Sequence, residues 1–279
     1  MSHTPHAPLA LALWQCAYAA PEAGTGEALR RLDLQAQQAR ALGADLLVCP
    51  EMSLTGYAIG AERVQALAEP HDGPLAQAVA TIARQHRIAI VYGYPERHPA
   101  GGKPFNAVQC IDDTGEPIGH YRKTHLFGEL DHQQFTAGDA APQVFACRGW
   151  QLGMLICYDV EFPETTRLLA LQGADAVLVP TANMVGFDEV PQLLVPARAC
   201  ENRLIVGYAN ACGEEGDLSY GGLSTLALAD GTTLTRADRA PDTLLATLSP
   251  AVLAEARRSS QLPARRPDLY GTLGQRISP

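Results

Sequence analysis

Short apolar runs alternate along the chain with longer stretches in which apolar residues recur at helical spacing. Runs rich in Val, Ile and Leu without polar alternation are typical of strands buried on both faces. Such runs predict strands over residues 9–16, 45–50, 87–94, 107–112, 144–147, 152–158, 176–180, 204–209 and 223–229, and a further strand is predicted over residues 119–123. Helical spacing predicts helices over residues 26–42, 72–86, 163–172 and 190–202.

This alternation predicts an α/β protein in which helices cover the faces of sheets. The chain has no internal repeat, no low-complexity linker and no break in composition. Residues 1–279 are therefore expected to form one domain. Residues 257–279 have no strong periodicity and are expected to form a tail.

Composition excludes several classes of partner. The chain has 279 residues, of which 47% are hydrophobic, which is enough for one large core. Its net charge is −9, from 21 basic and 30 acidic residues, and no basic cluster stands out. This balance argues against nucleic acid and anionic membranes as partners. No apolar run reaches the ~18 residues that a membrane span needs.

Cysteine usage indicates a reducing compartment. The seven cysteines are an odd number, are widely scattered and include no C-x-x-C pair. This pattern favours reduced thiols in a cytoplasmic protein over a disulfide framework or a zinc site. The first residues also lack the basic region of a signal peptide.

Cys157 is the residue that most suggests catalysis. It stands where a strand-like run gives way to an acidic turn that begins the next predicted helix. Folds of the α/β class place ligands and nucleophiles at such strand ends. A thiolate is a good nucleophile and leaving group, and a nearby cation or helix N-terminus is expected to lower the pKa of this thiol. The alternative is a buried structural thiol.

Two other polar residues also stand at the ends of predicted strands. Glu51 follows the predicted strand over residues 45–50, where partial loss of solvent would raise its pKa toward that of a general base. Lys123 ends the strand over residues 119–123, where its ammonium could stabilise an oxygen on which charge develops. Taken alone, Glu51 is better explained as a helix-start or solvated acid, and Lys123 as an ordinary strand-end lysine.

The order Glu51, Lys123 and Cys157, each at a strand end, resembles the catalytic triad of the nitrilase superfamily of carbon–nitrogen hydrolases. The resemblance covers nearly the whole chain and implies a four-layer α-β-β-α sandwich. It implies that Cys157 is the nucleophile, that Glu51 is the general base, and that Lys123 and the backbone N–H of Tyr158 stabilise the oxyanion.

The same resemblance implies how the protein is assembled. Subunits of the family usually pair through the helical face that contains the helix after the cysteine. We therefore expect a homo-oligomer, with the tail over residues 257–279 contributing to the contacts. No metal and no cofactor are expected.

The family often carries a second acid between the lysine and the cysteine, just before an aromatic-containing segment that ends in Gly-Asp. Counting back from Gly138 and Asp139 places Asp131 where a glutamate is usual, and Glu129 lies two residues earlier. Either acid could orient Lys123 or hold the substrate amide. The sequence leaves this choice open.

The substrate-binding residues implied by the resemblance are Tyr57, Tyr158, Glu161 and Asn183. Longer strings over residues 87–97, 121–131 and 157–164 look like those of bacterial amidases close to 5-aminopentanamidase, and like those of R-stereoselective amidases. For Asn183 the alternative to substrate binding is that it shapes a turn, and the sequence favours neither.

Glu161 suggests which substrate would be preferred. In ω-amidase-like relatives an arginine commonly stands at this position, four residues after the cysteine. A carboxylate there should repel a carboxylate and attract an ammonium group, so we expect a substrate with a cationic amine at one end and a primary amide at the other. The alternative is that Glu161 stabilises the helix that follows it.

Three other functions stay open at this point. Hydrolysis of an N-carbamoyl compound, a nitrile or a dicarboxylate monoamide would use the same triad. A non-catalytic binding module could keep the fold, although the presence of all three triad residues argues against it. The thioester could also pass its acyl group to an amine instead of water.

Overall fold

The computed structural model describes residues 7–275, which form fourteen strands and seven α-helices. The strands are β1 (Leu9–Gln15), β2 (Leu46–Val48), β3 (Ala89–Glu96), β4 (Phe105–Ile111), β5 (Pro117–Arg122), β6 (Val144–Cys147), β7 (Trp150–Met154), β8 (Ala176–Thr181), β9 (Ile205–Asn210), β10 (Cys212–Glu215), β11 (Leu218–Gly221), β12 (Thr225–Ala227), β13 (Thr233–Arg236) and β14 (Asp242–Leu248). The helices are α1 (Gly24–Ala41), α2 (Ala61–Leu67), α3 (Pro74–His86), α4 (Gly128–Gln134), α5 (Pro163–Leu171), α6 (Val195–Asn202) and α7 (Pro250–Arg258).

Two six-stranded sheets form the body of the protein. The first has the strand order β14-β1-β2-β3-β4-β5, and the second has the order β13-β12-β9-β8-β7-β6. In each sheet the central strands run parallel, β1 with β2 and β3 in the first and β7 with β8 and β9 in the second, and the flanking strands run antiparallel. Strands β10 and β11 form a separate hairpin.

The sheets pack face to face. Along β1, Leu11 and Leu13 belong to the core between the sheets, whereas Ala12 belongs to a second core under α1 and α3. This alternation follows from the two-residue repeat of a strand. A Cβ added at Gly207 of β9 would come within 3.2–3.3 Å of the side chains of Leu13 and Leu11, so the sheets approach closely there.

Helices cover the outer face of each sheet. Helices α1 and α3 cover the first sheet through apolar residues such as Leu32 and Val79. On the second sheet, a Cβ added at Gly153 of β7 would lie 2.7 Å from a methyl group of Leu169 of α5, so that helix packs directly on the strand. The predicted α-β-β-α sandwich is confirmed.

Several predicted boundaries are wrong. The strand predicted over residues 152–158 ends at Met154, because the chain turns into a 3-10 helix at Cys157–Glu161. The strand predicted over residues 223–229 is only Thr225–Ala227. Elements absent from the prediction are the short helices α2, α4 and α7, the β10–β11 hairpin and the strands β13 and β14.

The described part of the tail continues beyond α7 in short turns. After Arg258 it forms three 3-10 helices, Leu262–Ala264, Pro267–Leu269 and Gly271–Gly274. Residues 276–279 of the predicted tail lie outside the described residues. Within residues 7–275, no helix combines the length and the hydrophobicity needed to cross a membrane.

Candidate active site

Glu51 lies in a tight turn that packs against β3. The turn follows β2, and Met52, next to Glu51, has a left-handed backbone with φ of 50°. A Cβ added at Gly93 of β3 would lie 2.4 Å from the backbone nitrogen of Met52. Glycine at position 93 therefore lets the turn sit on the strand, and Glu51 is completely buried beneath it.

The carboxylate of Glu51 is held through one oxygen. Its Oε1 accepts hydrogen bonds from Nζ of Lys123 at 2.8 Å and from Nδ2 of Asn106 at 2.6 Å. Its Oε2 is buried and has no hydrogen-bond partner among the described residues. Burial raises the pKa of Glu51, the charge of Asp131 raises it further, and Lys123 and Asn106 oppose the rise.

Lys123 lies just beyond β5 and is also completely buried. Its Nζ is 2.8 Å from Oε1 of Glu51 and 2.7 Å from Oδ2 of Asp131. Burial alone would lower its pKa, but the two carboxylates raise that pKa well above the ordinary value for lysine. Lys123 is therefore a permanent cation and cannot act as a base.

Asp131 is the second acid of this cluster. Its Oδ2 accepts from Nζ of Lys123 and from the backbone N–H of Phe127, at 2.7 and 2.9 Å. Its Oδ1 accepts from the hydroxyl of Tyr57 at 2.7 Å. Glu129, the other acid considered from the sequence, is not in the cluster. It is exposed on α4 and bonds Gln133 at 2.8 Å, because the helix directs residues 129 and 131 to different faces.

Cys157 begins the 3-10 helix after β7 and has a left-handed backbone with φ of 47°. This conformation is rare for a side-chain-bearing residue and marks a position that the surrounding structure imposes. Burial raises the pKa of Cys157 well above its ordinary value, and the charge of Glu51 adds to the rise. Lys123 and a hydrogen bond from the backbone of Ala182 act in the opposite direction.

The expectation of a lowered thiol pKa is therefore wrong. Burial and the neighbouring Glu51 outweigh the cation and raise the pKa of Cys157, which favours the thiol over the thiolate. A nucleophile of this kind needs a base that removes its proton as it attacks.

Asp159 connects the cysteine turn to residues on both sides of Lys123. Its Oδ1 accepts from the hydroxyl of Thr124 and the backbone N–H of His125, each at 3.0 Å. Its Oδ2 accepts from the hydroxyl of Tyr121 at 3.1 Å and the backbone N–H of Ile156 at 3.2 Å. Sequence reasoning missed this residue, whose only signal was an acid two positions after the cysteine.

Glu215 holds the loop that carries Tyr57. Its carboxylate accepts from the backbone N–H groups of Tyr57 and Ala58 at 3.0 and 2.7 Å, and from the hydroxyl of Tyr220 at 2.6 Å. It comes from the β10–β11 hairpin, which the sequence did not reveal. No local pattern could have identified this residue, because Tyr57 and Ala58 lie 158 and 157 positions earlier in the chain.

Tyr158 follows the cysteine in the 3-10 helix. Its ring makes edge-to-face contacts with Phe127 and Phe162, with centroid distances of 5.2 and 4.9 Å. It occupies the first turn, where a backbone N–H has no partner within the helix. That N–H can therefore donate to a bound oxygen.

Glu161 is partly buried, and none of the described residues forms an ion pair or hydrogen bond with its carboxylate. Burial raises its pKa, as does the charge of Glu189, whereas Arg198 and Lys123 lower it. The Arg198 guanidinium donates to the backbone oxygens of Val160 and Glu161 at 2.9 and 2.6 Å. The acidic group at this position is thus left without a direct cationic partner.

Asn183 lies in the loop after β8 and shapes it. Its backbone N–H donates to Oδ1 of Asn210 at 2.7 Å, and its Nδ2 donates to the backbone oxygen of Phe187 at 3.0 Å. Its amide nitrogen is thus engaged within the loop. Over residues 7–275, no group of three or more His, Cys, Asp or Glu side chains is arranged to hold a metal ion.

Comparison with known proteins yields consistent matches. The family model for carbon–nitrogen hydrolases matches residues 10–258. The chain is 49% identical over 249 residues to the hydrolase in the pqqF 5′ region of Pseudomonas protegens, covering 89% of this chain and 86% of that protein. It is 38% identical over 180 residues to an (R)-stereoselective amidase of a Pseudomonas species, covering 64% of each.

Among solved structures, the amidase of Nesterenkonia sp. AN1 is similar along its length. One of its structures, a Glu-to-Gln mutant, matches with a TM-score of 0.80 at 33% identity and covers 96% of each chain. In that protein the acetamide moiety of fluoroacetamide is covalently added at the active site cysteine. The same amidase is placed in the nitrilase superfamily.

Proposed function

This chain belongs to the carbon–nitrogen hydrolase family, and we propose that it hydrolyses a small aliphatic primary amide to a carboxylate and ammonia through a thioester on Cys157. The resemblance to the nitrilase superfamily is confirmed by the family match and by the amidase structures. The observation that carries the proposal is the buried cluster of Glu51, Lys123 and Asp131, in which Oε2 of Glu51 has no hydrogen-bond partner among the described residues.

In the first step the sulfur of Cys157 attacks the amide carbon. Glu51 accepts the thiol proton on Oε2, the oxygen that has no hydrogen-bond donor among the described residues. A base with a raised pKa suits this task, because proton transfer is most efficient when the pKa lies near the working pH. The carbonyl oxygen gains the negative charge as the S–C bond forms.

Lys123 and Tyr158 supply the oxyanion donors. An ammonium group has three N–H donors, and that of Lys123 donates two of them to Glu51 and Asp131. The third is free to donate to the developing oxyanion, together with the backbone N–H of Tyr158. Such fixed donors in a water-poor site provide a large part of the rate enhancement of acyl-transfer enzymes.

The tetrahedral intermediate then collapses. The C–N bond breaks, ammonia leaves with the proton that Glu51 donates, and the acyl group remains on Cys157 as a thioester. Glu51 is then a carboxylate again. It takes a proton from a water molecule as the water oxygen attacks the thioester carbon. The C–S bond breaks, the thiol regains its proton, and the carboxylate product is released.

We propose further that the substrate carries a cationic amine, as 5-aminopentanamide does. Glu161 supports this, because its partly buried carboxylate has no direct cationic partner among the described residues. The carboxylate also interacts electrostatically with Lys123 and with Tyr208. Glu189 adds a second negative charge near it. An ammonium group bound beside Glu161 would offset both charges.

Ammonia release from a matched panel tests the proposal. The panel is 5-aminopentanamide, butyramide, glutaramate, a matched nitrile and an N-carbamoyl amine. We expect 5-aminopentanamide to have the highest kcat/KM, and Glu161→Arg to reduce its preference over glutaramate by roughly 10-fold or more. Glu116→Arg, at an exposed position in the turn before β5, is the control that should leave the preference intact.

The outcomes separate the parts of the proposal. If the enzyme prefers amino-amides and Glu161→Arg leaves that preference unchanged, the amidase activity stands and Glu161 has no role in substrate choice. If only the nitrile or only the carbamoyl compound is cleaved, that compound class is the substrate and the proposed amide is not. A hydroxamate formed with added hydroxylamine would reveal acyl transfer, and no product from any compound would favour a binding module.

We also propose that the enzyme is a homo-oligomer that pairs through the face of α5. Leu168 and Leu171 of α5 are 43% and 50% exposed, and Leu269 of the tail is 65% exposed. Burying such residues against a second copy would stabilise the assembly. Sedimentation analysis of the wild type and of Leu168→Glu should show an oligomer that the substitution weakens, whereas a wild-type monomer would contradict the proposal.

A further inference from the structure

We infer that Asn106 is a positioning residue for the general base: it fixes the orientation of the Glu51 carboxylate and reserves Oε2 for the transferred proton. The inference rests on the proposed function and concerns the same site. Nothing in the sequence motifs pointed to this residue, which lies within an apolar strand. Its role emerges only from its contacts with Glu51 and Lys123.

Asn106 touches both chemically active segments at once. Its Nδ2 donates to Oε1 of Glu51 at 2.6 Å, and its backbone oxygen accepts from the backbone N–H of Lys123 at 2.8 Å. It is completely buried and lies in β4, which is hydrogen-bonded to β3 on one side and β5 on the other. A residue in a strand that is paired on both sides is held rigidly, so it can define the orientation of the base.

The distribution of hydrogen bonds assigns the two oxygens of Glu51 different roles. Oε1 accepts from the amide of Asn106 and from the ammonium of Lys123, whereas Oε2 accepts from none of the described residues. A buried acceptor without a donor costs free energy and calls for a functional explanation. Proton transfer provides one, because an oxygen already bonded to two donors is the poorer proton acceptor.

The orientation of the Asn106 side-chain amide is set by the charge of Glu51. Its own Oδ1 is buried and has no hydrogen-bond partner among the described residues. Its side-chain hydrogen bond within residues 7–275 is therefore the one to Glu51. Rotating the amide by half a turn would place its oxygen against the carboxylate, so the charge of Glu51 selects the observed arrangement.

Asn106 also affects the protonation of the base. Burial raises the pKa of Glu51, and the hydrogen bond from Asn106 is one of the contacts that lower it. A donor to the charged form keeps a buried carboxylate able to accept a proton. Without it, Glu51 would spend a larger fraction of the time protonated, and Cys157 would lack a base over a wider range of acid pH.

The titratable groups around Glu51 are Lys123, Asp131, Cys157, Tyr18, Tyr57, Tyr208 and Tyr220. Burial raises the pKa of the four tyrosines and of Cys157, and the carboxylates raise that of Lys123. The tyrosines, the cysteine and the lysine therefore keep their charge states on the acid side. Asp131, the other carboxyl, takes its hydrogen bonds from Tyr57, Lys123 and Phe127 and none from Asn106.

The test compares Asn106→Leu and Asn106→Asp with the wild type. Asn202→Leu is the matched control, because Asn202 is another buried asparagine whose Oδ1 has no hydrogen-bond partner among the described residues, located on α6. Two quantities are measured from pH 5 to 9. One is the rate at which iodoacetamide labels Cys157, followed by mass spectrometry of its peptide, and the other is kcat/KM for the best amide of the panel.

For both Asn106 variants we expect the acid limb of each profile to move to higher pH. At neutral pH we expect both rates to fall roughly 10- to 100-fold, the effect of losing one charge-assisted hydrogen bond. Asn106→Asp keeps the shape of the side chain and adds a negative charge, so its limb should move further. The Asn202→Leu control should unfold more easily and leave the limb in place.

An unmoved acid limb in folded Asn106→Asp, or an equal shift in Asn202→Leu, would overturn the inference. The labelling readout does not depend on turnover. A shifted labelling profile without ammonia release from any amide would therefore overturn the proposed function and leave the role of Asn106 standing.

Discussion

Nζ of Lys123 lies 2.7 Å from Oδ2 of Asp131, and both side chains are completely buried. The same ammonium group also touches Glu51, so one buried cation serves two carboxylates. The cluster carries a net negative charge away from water, which is costly unless every group has a partner. Asp131 thus holds Lys123 in place and compensates its charge when Glu51 is protonated.

Replacing Asp131 by asparagine should therefore damage catalysis. The new amide could still accept from the hydroxyl of Tyr57, but Lys123 would lose one of its two anionic partners and shift toward Glu51. We expect kcat for the best amide to fall roughly 100-fold, as for other misplaced catalytic groups. Steady-state kinetics of Asp131→Asn, with the fold checked by circular dichroism, measures this.

Glu129→Gln is the matched control for that variant. Glu129 lies on the same helix but is exposed and bonded to Gln133. Its replacement should change kcat less than about twofold, because surface substitutions seldom perturb a distant site. Equal losses in the two variants would show that Asp131 has no specific role.

The activity should depend on pH through Glu51. Burial raises the pKa of this carboxyl above its ordinary value of 4.5, and only the ionised form can accept the thiol proton. The rate should therefore rise with pH, along a limb whose midpoint lies above that of a solvent-exposed glutamate. A pH profile of kcat/KM with its acid limb at or below the ordinary value would contradict this assignment.

Glu51→Gln provides the corresponding substitution. It keeps the shape and the hydrogen-bond acceptor but removes the base, so kcat should fall roughly 10²- to 10⁴-fold. The acid limb should disappear together with the activity. A variant that keeps a wild-type acid limb would show that another group is the base.

Glu96 should make the stability of the protein depend on pH. This buried carboxylate binds His120 and Arg122 of β5, the strand that leads to Lys123. Burial would raise its pKa, but these partners lower it to about 2. Because the folded pKa is below the unfolded value of 4.5, the contribution is present above about pH 4.5 and is lost as pH falls toward 2.

Glu96→Gln should thus be less stable than the wild type at pH 7, by at most about 3 kcal/mol. The difference should shrink between pH 4.5 and 3. Urea unfolding at pH 7, 5 and 3.5 measures it. Asp268→Asn, which removes an exposed partner of Arg266, is the control and should have little effect at any pH. A difference that is constant with pH would rule out the ionic origin.

The sequence revealed those parts of the site that stand at the ends of predicted strands. Glu51 and Cys157 each follow a run of buried residues. Lys123 follows β5, of whose residues only Tyr121 is buried, and its position was predicted from the strand end alone. The sandwich followed from the alternation of such runs with helices, together with the family resemblance. The strand ends depend on neighbours in the chain, so a single sequence was sufficient to predict them, whereas the four-layer arrangement came from the family resemblance.

The remaining parts depend on contacts between distant residues. Asp131 could not be distinguished from Glu129, because the loop that carries them is the short helix α4, whose turns decide which side chain points inward. Asn106 and Glu215 act on residues 55 and 158 positions away. The expected low thiol pKa of Cys157 was wrong because its burial could not be judged from the motif.

The proposed mechanism depends most directly on Cys157 as the nucleophile of an amidase. The decisive measurement is ammonia release from 5-aminopentanamide and butyramide by the wild type and by Cys157→Ala, with circular dichroism showing that both are folded. We predict turnover by the wild type and a loss of more than about 10⁴-fold in the variant, because the acyl intermediate can no longer form on the sulfur. Ammonia release by folded Cys157→Ala at a rate near that of the wild type would contradict this mechanism.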